Sequence, residues 1–556
     1  MATKVTPTNV IATASKVSWL PLVIIVIAQL QMGINVNALP VSLGPIVEDL
    51  NAPATAVSTA LVVYSLAVAA FVMLGAKLGK LFGERLVFQV SAVGHGVAML
   101  IMALSRDTTM MNMAQLFAGL AAALLVPTLV VLIAANYHGK QQSQALGILA
   151  SIPAIASGLA FVVAGFIATA LTWRLSFALV FIQSLLVLFL SFRLTSVPRQ
   201  KDIKIDFVGV VLSALAIALI LFAFNNINRW GPVLATPAAP FNVLGLSPVP
   251  IFIVAGIVLG QAFFMWIARR EAQGKTPLLA REVLNSPEER NAVIAFLVAG
   301  ALSAAISFLI PLYVQIVQGN TPLFTAVAIV PYALAVAAAA ILSVRLYGRI
   351  SPRLMGAGCF ILNAAGFALV AATISRDWGT LLVIVGLVLA GVGEGTMLTL
   401  LFNVLVSASP KKYAGDVGAL RGVVNNVSSA LGAAFAGVVA VTLLTGALSS
   451  SLDRSTLPPQ FNLDNVSRVD FVSDAQLKAV LATTPATPAQ VDELMRINQA
   501  ARISALRASF LLLALICLLA IFPAMRLPRY RLIELDAEEI VDEQRQGAHS
   551  TAPVTG

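Results

Sequence analysis

Fourteen runs of twenty or more predominantly apolar residues dominate the chain. They lie at 18–40, 55–76, 86–105, 109–135, 143–171, 175–195, 206–228, 249–268, 292–317, 322–344, 354–375, 379–407, 414–446 and 504–526. A helix needs about 20 such residues to cross the hydrocarbon core of a bilayer. Lipid offers the backbone no hydrogen-bond partner, so spans of this length must be helices that satisfy their own amides. A soluble chain of 556 residues would carry roughly a quarter of its residues charged. Here 11% are charged and 59% are hydrophobic, with a mean hydropathy of +0.92. The pattern predicts an all-α polytopic membrane protein with 14 transmembrane helices, and it excludes soluble enzymes, disordered chains and fibrous repeats.

The charges orient the spans. The balance of 35 Lys and Arg against 25 acids, +10 in all, would suggest nucleic acid in a soluble protein. In a membrane protein it reflects basic residues retained in cytoplasmic loops. With the N-terminus inside, 24 Lys and Arg fall in cytoplasmic connections, whereas the short opposite loops hold only Arg106, Arg174, Arg229 and Arg376. An even number of spans then places both termini in the cytoplasm of a cell whose inner membrane holds the protein. The first apolar run is followed by no small-residue cleavage site and reads as a retained span. Cys359 and Cys517 both lie inside apolar runs, so no disulfide framework or Cys-based metal site is expected. No nucleotide loop, zinc-ligand cluster or nucleophile elbow stands where it could operate, so no cofactor, metal, enzymatic activity or nucleic-acid partner is expected.

The chain also repeats itself. Lys77-Leu78-Gly79 through Arg85-Leu86 joins the second and third spans, and Arg345-Leu346-Tyr347 through Arg353-Leu354 joins the tenth and eleventh with the same internal spacing. Spans 1–6 and 9–14 therefore read as parallel repeats with spans 7 and 8 inserted, a transporter architecture. The expected division is a six-helix bundle over 1–200, a two-helix insert with its cytoplasmic linker over 201–290, and a second six-helix bundle over 291–556. The last includes an extracytoplasmic loop at 447–503 and a cytoplasmic tail at 527–556.

Several residues, in order along the chain, carry a family resemblance. They are Asn35-Val36-Asn37-Ala38-Leu39-Pro40 ending span 1, Leu78-Gly79 with Gly83, Trp173-Arg174 with Phe177, and Asp206-Phe207 with Gly209. Pro311-Leu312-Tyr313 with Gln315 and Gly319, then Pro331, follow. An outer loop then reads as two capped helices, Ser473 to Thr484 and Pro488 to Ala505, feeding span 14. On these the chain resembles the fourteen-helix drug:proton antiporter branch of the major facilitator superfamily. The resemblance implies export of small organic molecules against proton entry. The sequence also departs from that pattern. Gln31 stands where the family usually has an Asp, Gln115 where it has an Arg, and Lys80 and Leu81 where the loop motif has Asp and Arg. The span-5 antiporter motif becomes Ala160-Phe161 and Ala164-Gly165.

Ionisable groups deep in a membrane are costly and are functional candidates by default. Glu394, in the middle of span 12 within Gly391-Val392-Gly393-Glu394-Gly395, is the proton-coupling candidate. Arg421, Asn425, Ser428 and Gly432 recur at helical spacing on one face of span 13. Arg421, Asn425 and Ser428, with Gln31, Asn35 and Gln115, are candidates for the cavity or substrate. Arg421 could instead snorkel, and the amides could instead join helices. His95 reads as a packed histidine, Arg507 as an interface anchor, and Lys77, Gly79, Lys80, Gly83 and Arg85 as a conformational loop motif. The leading expectation is a proton-coupled exporter working by alternating access, with a small molecule, protons and the lipid bilayer as partners. An uncoupled facilitator or importer is the second reading, and a membrane scaffold or sensor the third. Whether the outer loop meets a periplasmic adaptor stays open.

Overall fold

The computed structural model describes residues 18–529 apart from 138, 197–198, 200–203, 276, 280–285, 347–348, 377–380, 409–413, 456 and 459–469. Positions 1–17, part of the expected outer loop and all but the start of the expected tail therefore lie outside the described residues. Fourteen long helices correspond to the fourteen apolar runs. The first six are α1 (Leu20–Val41), α3 (Thr55–Phe82), α4 (Glu84–Ala103), α5 (Thr108–Asn136), α6 (Gly139–Ala170) and α7 (Trp173–Ser191). Next come α8 (Phe207–Asn225) and α10 (Pro248–Ala272). The last six are α11 (Pro287–Pro311), α12 (Pro322–Ser343), α13 (Pro352–Thr373), α14 (Leu381–Ala408), α15 (Ala414–Leu452) and α17 (Pro488–Ala524). Three short helices complete the set: α2 (Leu43–Asp49), α9 (Ile227–Trp230) and α16 (Asp474–Leu481). Among the described residues there is no β-strand, only two isolated bridges near Leu246. The protein is an all-α polytopic membrane protein.

The helix starts follow local chemistry. Ser286 and Glu289 form a capping box at α11 with Pro287 at the first helical position, and Thr487 with Gln490 does the same at α17. Asp206 caps α8 and also accepts from the Trp266 indole at 2.9 Å, pinning α8 to α10. The two expected outer-loop helices are present, and the second runs without a break into the last span as α17. Arg507 donates to the carbonyls of Ala371 and Ile374 and thereby caps the end of α13.

Packing repeats between the two sets of six. In the first set α3 packs on α5, α4 on α5 and α7, and α1 on α6. In the last set α12 packs on α14, α13 on α14 and α17, and α11 on α15. Between the sets, α3 lies on α15 and α6 on α12. The pair α8 and α10 packs together, with α8 against the outside of α3 and α15. Lipid tails are as apolar as the side chains, so close helix contact depends on small residues. A Cβ at Gly119 of α5 would collide with the Tyr64 carbonyl and the Ala67 methyl of α3, and one at Gly391 of α14 with the Tyr332 carbonyl and Ala335 methyl of α12. Tyr64 and Tyr332 are separated by the same interval as Lys77 and Arg345, the period of the loop repeat.

Candidate functional site

Glu394 sits at the midpoint of α14, about 20 Å of helix from either end at 1.5 Å per residue. The glycines around it each serve a neighbour. Gly391 and Gly395 admit the backbone of α12, and Gly393 admits the Asn363 amide of α13. Glu394 is thereby buried, 6% exposed, between α12 and α11. The Tyr332 hydroxyl donates to its carboxylate, and the Ser303 hydroxyl of α11 lies near both. No cation contacts Glu394 among the described residues. A neutral carboxyl tolerates such a place, whereas the ionised form needs hydrogen-bond donors such as the Tyr332 hydroxyl, or entering water.

The polar residues of the first six helices are arranged differently. Gln31 is fully buried and donates to the Ala92 carbonyl at 2.9 Å, with the His95 Nδ1 at 3.0 Å. Asn35 and Gln115 exchange reciprocal amide hydrogen bonds of 2.9 and 3.0 Å. These contacts join α1 to α4 and α5, the use expected of interhelical amides. The stripe on α15 is not uniform. Ser428 is buried, with Gly300 of α11 against its hydroxyl, and Gly432 meets the Ala301 backbone. Toward the expected cytoplasmic end the same face is exposed at Asn425 and half-buried at Arg421. Arg421 does not touch Glu394, so the structure does not bring those two charges together.

At the loop motif, Gly83 adopts φ +97° between α3 and α4, a conformation that suits glycine. Gly79 lies against the Glu84 carboxylate, where any Cβ would collide. Lys77 is half-buried and Lys80 exposed, and Arg85 donates to the Phe192 carbonyl at 2.9 Å while lying over the Phe192 ring. The buried acid at this turn is thus Glu84, which motif alignment passed over because the motif's own acid falls on Lys80.

The hydrogen bonds between the two sets of six, among the described residues, all lie at one end, the one that the charge bias leads one to expect outside. Ser58 donates to the Ala433 carbonyl at 2.6 Å, and the Leu323 amide to the Thr169 hydroxyl at 2.9 Å. A π-helical turn, Leu312–Val317, continues α11. It carries Gln315, whose Oε1 accepts from the Gly44 amide at 2.7 Å and whose Nε2 donates to the Val41 carbonyl at 2.9 Å. Those are a free carbonyl at the end of α1 and a free amide at the start of α2, so one side chain from the last set caps both helices of the first. Behind this turn, fully buried Arg502 of α17 donates to the carbonyls of Ile316 and Val472 and pairs with Asp474 of α16. Tyr332, Ser303, Glu84 and Arg502 were not singled out from the sequence. Their spacing carries no motif, and only tertiary contact gives them partners.

The family model described as the Major Facilitator Superfamily matches residues 25–227 and 214–433. The chain is 24% identical over 443 residues to a probable actinorhodin transporter of Streptomyces coelicolor, covering 78% of this chain and 74% of that protein. It is 25% identical over 452 residues to the puromycin resistance protein of Streptomyces alboniger, covering 79% and 84%. Among solved structures it superposes with a TM-score of 0.60 on a bacterial homologue of the human lysosomal transporter Spinster in an inward-facing, occupied conformation, at 14% identity and covering 90% and 95%. The likeness to that structure concerns the fold.

Proposed function

The chain belongs to the major facilitator superfamily and is a membrane transporter, not an enzyme; from that premise we propose that it exports drug-like small organic molecules in exchange for protons. It works by alternating access in a bacterial inner membrane, with both termini in the cytoplasm. The two sets of six helices are the rocking units, and α8 with α10 is an insert beside them. Transport and resistance in the relatives' names support the substrate class and the outward direction. The hydrogen bonds gathered at the outer end and the exposed face at Asn425 fit an inward-facing state.

The observation that carries proton coupling is Glu394, a mid-membrane carboxyl that accepts from the Tyr332 hydroxyl, with Ser303 beside it and no cation in contact among the described residues. Gln31, Asn35 and Gln115 support the first bundle as interhelical amides, while Asn425 and Arg421 face the substrate path from α15 and Ser428 packs α15 on α11. The loss of charge at Gln31 and Gln115 favours a second reading, an uncoupled facilitator. Proteoliposomes with an imposed pH gradient separate the two readings. The wild type should concentrate substrate against its gradient and acidify the opposite compartment. Glu394→Gln should abolish accumulation while downhill exchange continues. Accumulation by Glu394→Gln at the wild-type level would remove Glu394 from the coupling path, and no gradient response in the wild type would establish the facilitator.

A further inference from the structure

A cavity of about 330 Å³ opens between the first turn of α4 and the segment that follows α7. Its polar lining is Arg85, Arg199, Gln89 and Ser196, and its rim is Phe82 and Leu86. The lining is basic without compensation. Neither guanidinium has a carboxylate partner among the described residues, and the adjacent acid, Glu84, is buried against Gly79 and outside the lining. Arg85 is held in place by the Phe192 carbonyl and ring, and Gln89 by the Ser191 hydroxyl at 2.9 Å. The cationic end of the cleft is thus preorganised.

Below it the surface turns apolar. Leu86, Val90 and Val97 form an exposed stripe along α4, and exposed Phe192, just past α7, lies under the Arg85 guanidinium. Gly96 against Ser184 fixes the seam between the two helices. Guanidinium groups recognise phosphate through paired donors, and basic pockets at the cytoplasmic ends of spans suit acidic headgroups. An ion taken from the cytosol would need no apolar track beneath it, whereas a phospholipid would. We propose that this cleft binds the phosphate of an anionic glycerophospholipid of the inner leaflet, with its acyl chains along the α4–α7 seam. Because Gly83 and Arg85 belong to the turn between α3 and α4, the bound lipid clamps that turn to the end of α7. The inference rests on the cytoplasmic placement of this end, and it is independent of substrate and coupling.

The test uses the full-length protein in phosphatidylcholine bilayers containing spin-labelled phosphatidylglycerol or spin-labelled phosphatidylcholine. The wild type should immobilise the acidic lipid preferentially. At about 1 kcal/mol per basic residue near the surface, Arg199→Gln or Arg85→Gln should lower the preference about fivefold and the double variant roughly thirtyfold. Arg199 is exposed and makes no hydrogen bond or ion pair among the described residues, so its variant reads the cleft even where Arg85→Gln fails to fold. Arg349→Gln, an exposed base on the equivalent loop of the second repeat, should leave the preference unchanged. An equal loss in Arg349→Gln would make the effect general surface charge and overturn the site. Displacement by soluble glycerol phosphate would make it a cytosolic phosphate site and overturn the lipid. Absence of any preference in the wild type would do the same.

Discussion

Gln315 makes the seal at the outer end quantitatively testable. Gln315→Leu keeps the side chain's volume and removes its amide. Two cross-bundle hydrogen bonds, to Gly44 at 2.7 Å and Val41 at 2.9 Å, are lost, together with a longer one to Pro40 at 3.3 Å. At about 1 kcal/mol for each of the two or three bonds, the state closed at this end should lose about 2 to 3 kcal/mol relative to the open one. The open state loses nothing, because there the carbonyls of α1 and the amide of α2 meet water. The shift in the closed-to-open ratio is then roughly 30- to 150-fold. A wild type resting near 99:1 would fall to about 3:1 or below.

Spin labels on exposed Thr109, at the start of α5, and exposed Ala479, on α16, straddle this end. Their distance distribution should gain a longer component in Gln315→Leu. Gln315→Glu, which keeps the acceptor for Gly44 and loses the donor to Val41, should lie between the two. An unchanged distribution in Gln315→Leu would mean that the packing of α3 on α15 and α6 on α12 closes this end without the amide. The capping argument would then fail.

Tyr332→Phe keeps the ring against Gly391 and deletes the hydroxyl that Glu394 accepts from. Proton-driven accumulation should drop while thermal stability falls by no more than about 3 kcal/mol, read from substrate uptake and detergent melting of the same preparation. Arg502→Met leaves the Ile316 and Val472 carbonyls without their donor and Asp474 with only the Gln499 amide and the more distant Arg376. It should destabilise the fold by about 3 kcal/mol in thermal unfolding, and Arg502→Lys should recover only part, since an ammonium cannot reproduce the planar fork. Arg421→Ala should leave the pH profile of transport where it is, because Arg421 does not touch Glu394; a displaced profile would show long-range coupling between α15 and α14.

The fourteen spans were legible because each is a run long enough for lipid to dictate its conformation, and the capped outer helices because Ser473-Gln476 and Thr487-Gln490 are complete capping boxes. The residues around Glu394 were half legible. Its depth and its glycines stand in the sequence, since a charge in a long apolar helix is conspicuous. Tyr332 and Ser303 sit far off along the chain on other helices and look like any mid-span polar residue. Arg421 shows the reverse limit. Depth along one helix made it a candidate for the cavity, but which neighbour it faces depends on how α15 is rotated against α11, and helix periodicity does not contain that angle.

The repeat explains why a single acid can matter in a chain that lacks the charges usual at Gln31 and Gln115. Gly119 on Tyr64 and Ala67, and Gly391 on Tyr332 and Ala335, are the same contact made twice. His95 and Asn363 are likewise separated by the interval that runs from Tyr64 to Tyr332. One helical turn past each glycine the halves part company, with Ala122 in one and Glu394 in the other. In the first half Gln31 donates to Ala92 and His95 and Asn35 pairs with Gln115, while Gln31 Oε1 and His95 Nε2 find no partner among the described residues, and these amides carry no charge that transport could gain or lose. In the second, the same packing skeleton holds a carboxyl whose partners are hydroxyls, which can donate to its ionised form and accept from its neutral form. Moving the acid to Ala122 while placing Gln at position 394 therefore asks whether the skeleton or the half decides. If coupling depends on the two hydroxyls, Ala122→Glu with Glu394→Gln should stay uncoupled, because the counterpart of Ser303 at the same interval is Asn35, an amide already bonded to Gln115 of α5. Recovery of proton-driven accumulation in that double variant would show that depth alone suffices, and the role given to Tyr332 and Ser303 would be lost.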